Sequence, residues 1–241
     1  MTARVDNGLQ DLGRDYPEWK PWLAMVEQTL REAAEPKWEA FVPERIETRR
    51  GIPLLAGRSL PLEPHVVGRW TERLFRAARR SGAPKMATLE RVKRARFDNG
   101  VLLEAALCQN SNKLGELAAE IGVDADLFQV VAALLPVPFL RACGRRWTGM
   151  AAEGWIEGYC PVCGAWPAFA EVRGIERSRH LRCVRCSSDW QVHCLSCPYC
   201  GMTDHKELES LVPEQGGSSR VVDACRRCLG YVKSLATLQR I

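Results

Sequence analysis

Four Cys-x-x-Cys pairs in the last third of the chain limit its fold more than any other feature: Cys160/Cys163, Cys183/Cys186, Cys197/Cys200 and Cys225/Cys228. A Cys-x-x-Cys turn brings two sulfurs to one side of a tight backbone loop. Two such turns facing each other supply four thiolates in a tetrahedral array, the donor set that zinc or a rubredoxin-type iron requires. The eight cysteines therefore predict two metal ions, iron or zinc, each in a four-cysteine site.

Nineteen residues separate Cys163 from Cys183 and 24 separate Cys200 from Cys225. Each gap has a hairpin's length, so the pairs are expected to join in chain order without crossing the chain. Cys160, Cys163, Cys183 and Cys186 would hold one ion, and Cys197, Cys200, Cys225 and Cys228 the other. A cross-brace of first pair with third is the rival. Ala168 to Val172 and Arg179 to Cys183 read as strands around a turn, and Asp189 to Val192 as a third strand. Cys160-Pro-Val-Cys-Gly164 and Cys197-Pro-Tyr-Cys-Gly201 share one form. Proline fixes the entry to the loop. Glycine after the second cysteine permits the positive φ that turns backbone N–H groups towards sulfur.

Three cysteines fall outside this scheme. Cys194 would compete for Cys197, which already pairs with Cys200 in the Cys-Pro-x-Cys-Gly form. Cys108 and Cys143 lie in helical patterns and read as small buried hydrophobes. His65, His180, His193 and His205 are scattered, with none at ligand spacing. A closed four-sulfur site leaves no open coordination position, so hydrolytic metal chemistry is not expected. No nucleophile elbow, P-loop, H-E-x-x-H or G-x-G-x-x-G pattern occurs, and nothing marks the chain as an enzyme.

The 241 residues suffice for two compact domains, and no run of about 18 apolar residues marks a membrane span. No secretory leader is apparent at the N-terminus, so a cytoplasmic location is expected. There, eleven cysteines are metal ligands rather than disulfides. The net charge of +5 is mildly basic. From Ile156 onward, 11 Lys and Arg face 9 Asp and Glu. Each four-thiolate site with a divalent ion adds two negative charges, so the metal region is not basic, which counts against nucleic acid as a partner.

The part before the cysteines reads as helical. Trp19, Trp22, Leu23, Val26 and Leu30 form an apolar stripe at helical period, expected to face a core. Prolines and glycines from Pro36 to Pro64 forbid a long helix, leaving a short one near Trp38 to Glu47. Ile52 to Leu55 is expected as an extended apolar segment over the helices. Helical patterns return at Val66 to Arg80, Leu89 to Phe97, Val101 to Asn110 and Lys113 to Ile121. Asp124 is expected to cap Ala125 to Leu135, with a last helix at Phe139 to Trp147. The basic run Arg76, Arg79, Arg80, Lys85, Arg91, Lys93, Arg94 and Arg96 reads as a solvated face. Thr148 to Glu157 reads as a linker. The expected fold class is α+β: an N-terminal all-α bundle at 1-150, then two small rubredoxin-like or zinc-ribbon metal modules at 151-193 and 194-241.

With these motifs the chain resembles the FdhE family of formate dehydrogenase accessory proteins. The resemblance rests on Tyr159-Cys-Pro-Val-Cys-Gly164 with Pro167, Arg182-Cys-x-x-Cys186 with Asp189-Trp190, and the pairs at Cys197 and Cys225. It extends loosely to Arg50-Gly-Ile-Pro-Leu-Leu55 and Phe139-Leu-Arg-Ala-Cys143. Cys194 stands where the family carries another residue, and against the family pattern the sequence is short at both ends. The resemblance implies a cytoplasmic assembly factor with rubredoxin-like iron binding. It would bind the immature catalytic subunit of a molybdenum- or tungsten-dependent formate dehydrogenase, without inserting in a membrane. Two other readings compete: a zinc-ribbon nucleic-acid or transcription adaptor, which the charge count disfavours, and a rubredoxin-type electron carrier, which would not need the helical half. Trp155, Tyr159, Trp166 and Trp190 cluster near the linker and are the expected recognition surface.

Overall fold

The computed structural model describes residues 2–44, 46–58, 61–82, 86–94, 98–214 and 219–240. By its internal contacts the chain forms two compact units, one of Met1–Phe41 with Leu60–Phe139, the other of Val42–Ser59 with Leu140–Ile241.

The first unit is helical: α1 (Thr2–Asp15), α2 (Lys20–Ala33), α3 (Pro64–Arg80), α4 (Glu90–Arg94), α5 (Asn99–Leu107), α6 (Ser111–Ile121), α7 (Ala125–Ala132) and the start of α8 (Val137–Ala152). Its helix starts are legible in side chains. Asp98 accepts from Gly100 N at 2.7 Å, Asn110 from Lys113 N at 3.0 Å and Asp124 from Leu127 N at 3.0 Å. Trp70, Leu74, Phe75, Leu102 and Phe128 are fully buried, and Trp70 Nε1 donates to Leu135 O at 3.0 Å.

The α2 stripe is only partly covered, with Leu23, Val26 and Leu30 half-buried. Trp19 is 46% and Trp22 38% exposed, while the buried side of α2 carries Met25, Thr29, Glu32 and Ala33. A charged residue sits inside because donors converge on it. Glu32 accepts from Trp38 Nε1 at 3.1 Å and pairs with Lys37 at 2.7 Å and Arg73 at 2.7 Å. The short helix expected near Trp38 is a 3-10 segment, Pro36–Phe41. In the basic run, Arg76 pairs with Glu72, Arg79 with Glu90, and Arg91 with Gly122 O. Lys85 and Arg96 lie outside the described residues.

The second unit is built on one six-stranded sheet: β1 (Pro167–Arg173), β2 (Ser178–Cys183), β3 (Asp189–Val192), β4 (Leu208–Leu211), β5 (Arg220–Cys225) and β6 (Tyr231–Thr237), in the order β3-β2-β1-β6-β5-β4. The two ribbons are therefore not separate sheets. Each is an antiparallel set, and a parallel pairing of β1 with β6, from Phe169↔Lys233 to Arg173↔Thr237, joins them. The fold is α+β with two four-cysteine modules on a shared sheet. Arg179 of β2 reinforces the join. Its buried guanidinium donates to Ser196 O at 2.8 Å and pairs with Asp223 of β5 at 3.2 Å.

Two expectations about connections change. The supposed linker is helical to Ala152, and α8 belongs to the second unit from Leu140 onward. The Ile52–Leu55 segment is expected over the helices. It belongs instead to the ribbon unit, where Leu54 N donates to Pro161 O at 2.9 Å and Leu55 N to Val162 O at 3.0 Å. One stretch, Ala125–Met150, is long and apolar enough to cross a membrane by length and composition, and 61% of its window is buried inside the protein.

Candidate metal centres

Each Cys-x-x-Cys pair sits in a knuckle closed by the same two backbone hydrogen bonds. The first cysteine donates its N–H to the carbonyl five residues on, and its own carbonyl accepts from the N–H four residues on. The pairs are Cys160 N to Ala165 O at 2.9 Å with Gly164 N to Cys160 O at 2.9 Å, and Cys183 N to Ser188 O at 2.9 Å with Ser187 N to Cys183 O at 3.1 Å. The second ribbon repeats them, with Cys197 N to Met202 O at 2.8 Å and Cys225 N to Gly230 O at 2.9 Å. This turn forces the residue after the second cysteine to positive φ. Gly164 (74°) and Gly201 (71°) fill that place as expected, but Ser187 (62°) and Leu229 (59°) occupy it in the other two knuckles.

The knuckles face each other in chain order. In one group Cys160 Sγ lies 3.4 Å from Cys186 Sγ and Cys163 Sγ 3.5 Å from Cys183 Sγ. In the other, Cys197 Sγ lies 3.6 Å from Cys228 Sγ and Cys200 Sγ 3.7 Å from Cys225 Sγ. Within each group all four sulfurs lie within 4.8 Å of one another, and the cross-brace is not formed. A tetrahedron with metal–sulfur bonds of about 2.3 Å has edges of about 3.8 Å, so both sulfur cages fit such an ion. All eleven cysteines are free of disulfides.

Electrostatics points the same way. Hydrogen bonds with Cys163 and Cys183 hold the Cys160 thiol far above its usual range, and burial with the same kind of neighbours raises Cys186. Cys183, receiving hydrogen bonds from Cys160, Cys163 and Cys186, is held far below it. Burial lifts Cys197 to about 12. Burial also acts upward on Cys225, but the N–H groups of Cys228 and Arg227 outweigh it and bring it to about 7. Sulfurs this close cannot all ionise without a cation between them, and a divalent ion supplies that charge. When bound, such an ion acts as a cross-link and offers no open position for substrate.

The residues beside the knuckles lock them to the sheet. Arg182 of β2 donates to Glu171 Oε1 at 3.0 Å and to Ser187 O at 3.3 Å, and Asp189 pairs with Arg173 at 2.8 Å and Arg240 at 2.6 Å. Trp190 is buried and donates to Glu157 O at 3.0 Å, so it does not belong to an exposed aromatic surface. Tyr199, which sequence reasoning passed over, takes its place. Trp155, Tyr159, Trp166 and Tyr199 form an unbroken run with ring centroids 5.5, 6.0 and 5.5 Å apart. They line a groove of about 670 Å³. Its signal was the Tyr in Cys197-Pro-Tyr-Cys200, which reads first as knuckle filler.

The remaining cysteines divide. Cys143 is buried, and burial pushes its thiol up to about 12. Cys108, just past the end of α5, is exposed, contrary to expectation. Cys194 is exposed and stands outside both sulfur groups.

No family model matches the chain. Among curated proteins it is similar to the FdhE homolog of Aquifex aeolicus, 30% identical over 84 residues, which is 34% of this chain and 29% of that protein. It is also similar to protein FdhE of Escherichia coli, 32% identical over 79 residues, which is 32% of this chain and 25% of that protein. The matched stretch is thus under a third of each relative's length. Among solved structures, the crystal structure of the FdhE protein from Pseudomonas aeruginosa aligns with 98% of this chain and 82% of its own, at a TM-score of 0.52 and 20% identity. At that identity the structural likeness speaks for the fold. Together the comparisons bear out the resemblance to the FdhE family that the sequence motifs carry.

Proposed function

We propose that this FdhE-family chain is a cytoplasmic accessory protein that binds the immature catalytic subunit of a formate dehydrogenase and helps it mature. One observation carries the proposal: two closed four-sulfur cages sit on a fold that aligns along its length with an FdhE structure. The eight cysteines are its metal ligands, holding two ions of iron or zinc. Such ions shape a surface and offer no site for substrate, so the chain is a binding protein rather than an enzyme.

The surface we assign to the partner is the groove between the ribbons. Trp166 is 51% and Ile156 73% exposed there, and rigid aromatic rings are the side chains most enriched at binding hot spots. A cell lacking the protein is expected to make formate dehydrogenase polypeptide with little activity, and the restored gene to recover it. Trp166→Ala with Tyr199→Ala, checked for folding by far-UV circular dichroism, should fail to recover activity and should lose the catalytic subunit in a pull-down. Full formate oxidation from that folded variant would move the partner surface elsewhere.

A further inference from the structure

The two sulfur cages stand in different surroundings. Cys160, Cys183 and Cys186 are 0–1% exposed and Cys163 is half-buried. The segment at Pro53 to Leu55 straps the Cys160 knuckle through two backbone hydrogen bonds to Pro161 and Val162. Pro53 packs on Gly164, where an added Cβ would meet its ring carbon at 3.3 Å. The other knuckle of this cage is capped by α8, whose backbone at Gly144 comes so close that an added Cβ would lie 2.0 Å from Cys186 O. Cys186 Sγ also touches Ser188 Oγ at 3.1 Å, and that hydroxyl meets Thr148 of α8 at 3.1 Å.

The second cage has cover on one side only. Gly158 packs on Pro198 O, and the Tyr199 ring packs on Gly230. Cys197 and Cys225 are buried, but Cys200 is exposed, Cys228 reaches the surface, and Leu229 beside it is 84% exposed.

From this contrast we infer that the two metal sites differ in exchange. The Cys197/Cys200/Cys225/Cys228 site takes up and releases a soft divalent ion at the protein surface. The Cys160/Cys163/Cys183/Cys186 site keeps its ion as a closed staple. The inference rests on reading the eight cysteines as two metal sites. The physical ground is how a thiolate-bound ion leaves. One sulfur must detach and be solvated or protonated while an incoming donor reaches the ion. At Cys200 and Cys228 water and chelator are already in contact. At the first cage the strap or α8 must first open, and local opening adds its own free energy to the barrier.

The test uses the full chain loaded with zinc alone. Zinc is counted per chain, then 4-(2-pyridylazo)resorcinol is added and release is followed by absorbance. Two ions per chain should leave in two phases of equal amplitude, the first faster by about ten-fold or more, the scale on which a ligand's supporting contacts act. Cys200→Ser should delete the fast phase and keep the slow one. On wild-type protein, after one equivalent has left, hydrogen exchange should show residues 197–200 and 225–228 deprotected and 160–163 and 183–186 still protected. Release of both ions in one phase, or early deprotection of 160–163, overturns the inference and leaves the two-site reading intact. Zinc at one ion or none per chain overturns the two-site reading itself.

Discussion

At the scale of single residues, the knuckle explains itself through one backbone angle. The position after each second cysteine needs positive φ whatever residue stands there. Gly164→Ala combines that strain with the Pro53 contact at 3.3 Å, so it should destabilise the ribbon unit by about 1–2 kcal/mol. Leu229→Gly removes strain of that kind but loosens the unfolded chain by about 0.4–1 kcal/mol, so its effect should be near zero. Urea denaturation of the zinc-loaded protein measures both, and equal losses at the two positions would contradict the argument. The eight cysteines and the two glycines were legible in the sequence because an i, i+3 repeat needs no tertiary context. Ser187 and Leu229 were not, since neither residue type announces a left-handed position.

At the scale of elements, the Asp124 cap and the strands of the first ribbon were legible, while α1, β4, β5, β6 and the buried faces were not. Asp124 as a cap, and β2 and β3 within a residue of their limits, follow from local chemistry. The choice of buried face on α2 does not. Both of its sides repeat at helical period, and only the arrival of Trp38, Lys37 and Arg73 makes the Glu32 side the inner one. Glu32→Ala should therefore cost about 1–3 kcal/mol, because it leaves the Trp38 indole N–H buried without an acceptor. Trp22→Ala, on the half-covered side, should cost less, about 1 kcal/mol or below. Thermal unfolding of the two variants decides between the faces, and a larger loss at Trp22 would restore the stripe as core. The strap at Pro53 to Leu55 was visible as an apolar segment, but its partner lies more than 100 residues away, beyond the reach of any local pattern.

At the scale of the whole molecule, the chain's order and its packing differ, and the difference can be tested by cutting it. The sequence divides near residue 150 and again near 193, and we propose these as the limits of metal modules, not of independently folding pieces. The β1–β6 pairing and Arg179 make each ribbon depend on the other. Residues 42–59 and α8 from Leu140 supply the first cage with its cover. A fragment of 151–193 with zinc should therefore remain largely unfolded, with poor amide dispersion in NMR. Adding the second ribbon and the end of α8, as in 140–241, should give a dispersed spectrum. Stripping metal from the full chain tests the division from the other direction. Structural zinc contributes on the order of 10 kcal/mol to small modules, more than a sheet of short strands can lose. The first unit has its own buried core around Trp70 and Phe75 and should hold without metal. Chelation should abolish the ribbons' amide protection while most of the far-UV helical signal survives, the loss being confined to the end of α8. A collapse of all helical signal on chelation would mean that the two units fold as one, and a well-folded 151–193 would mean that the first ribbon needs neither its neighbour nor its strap.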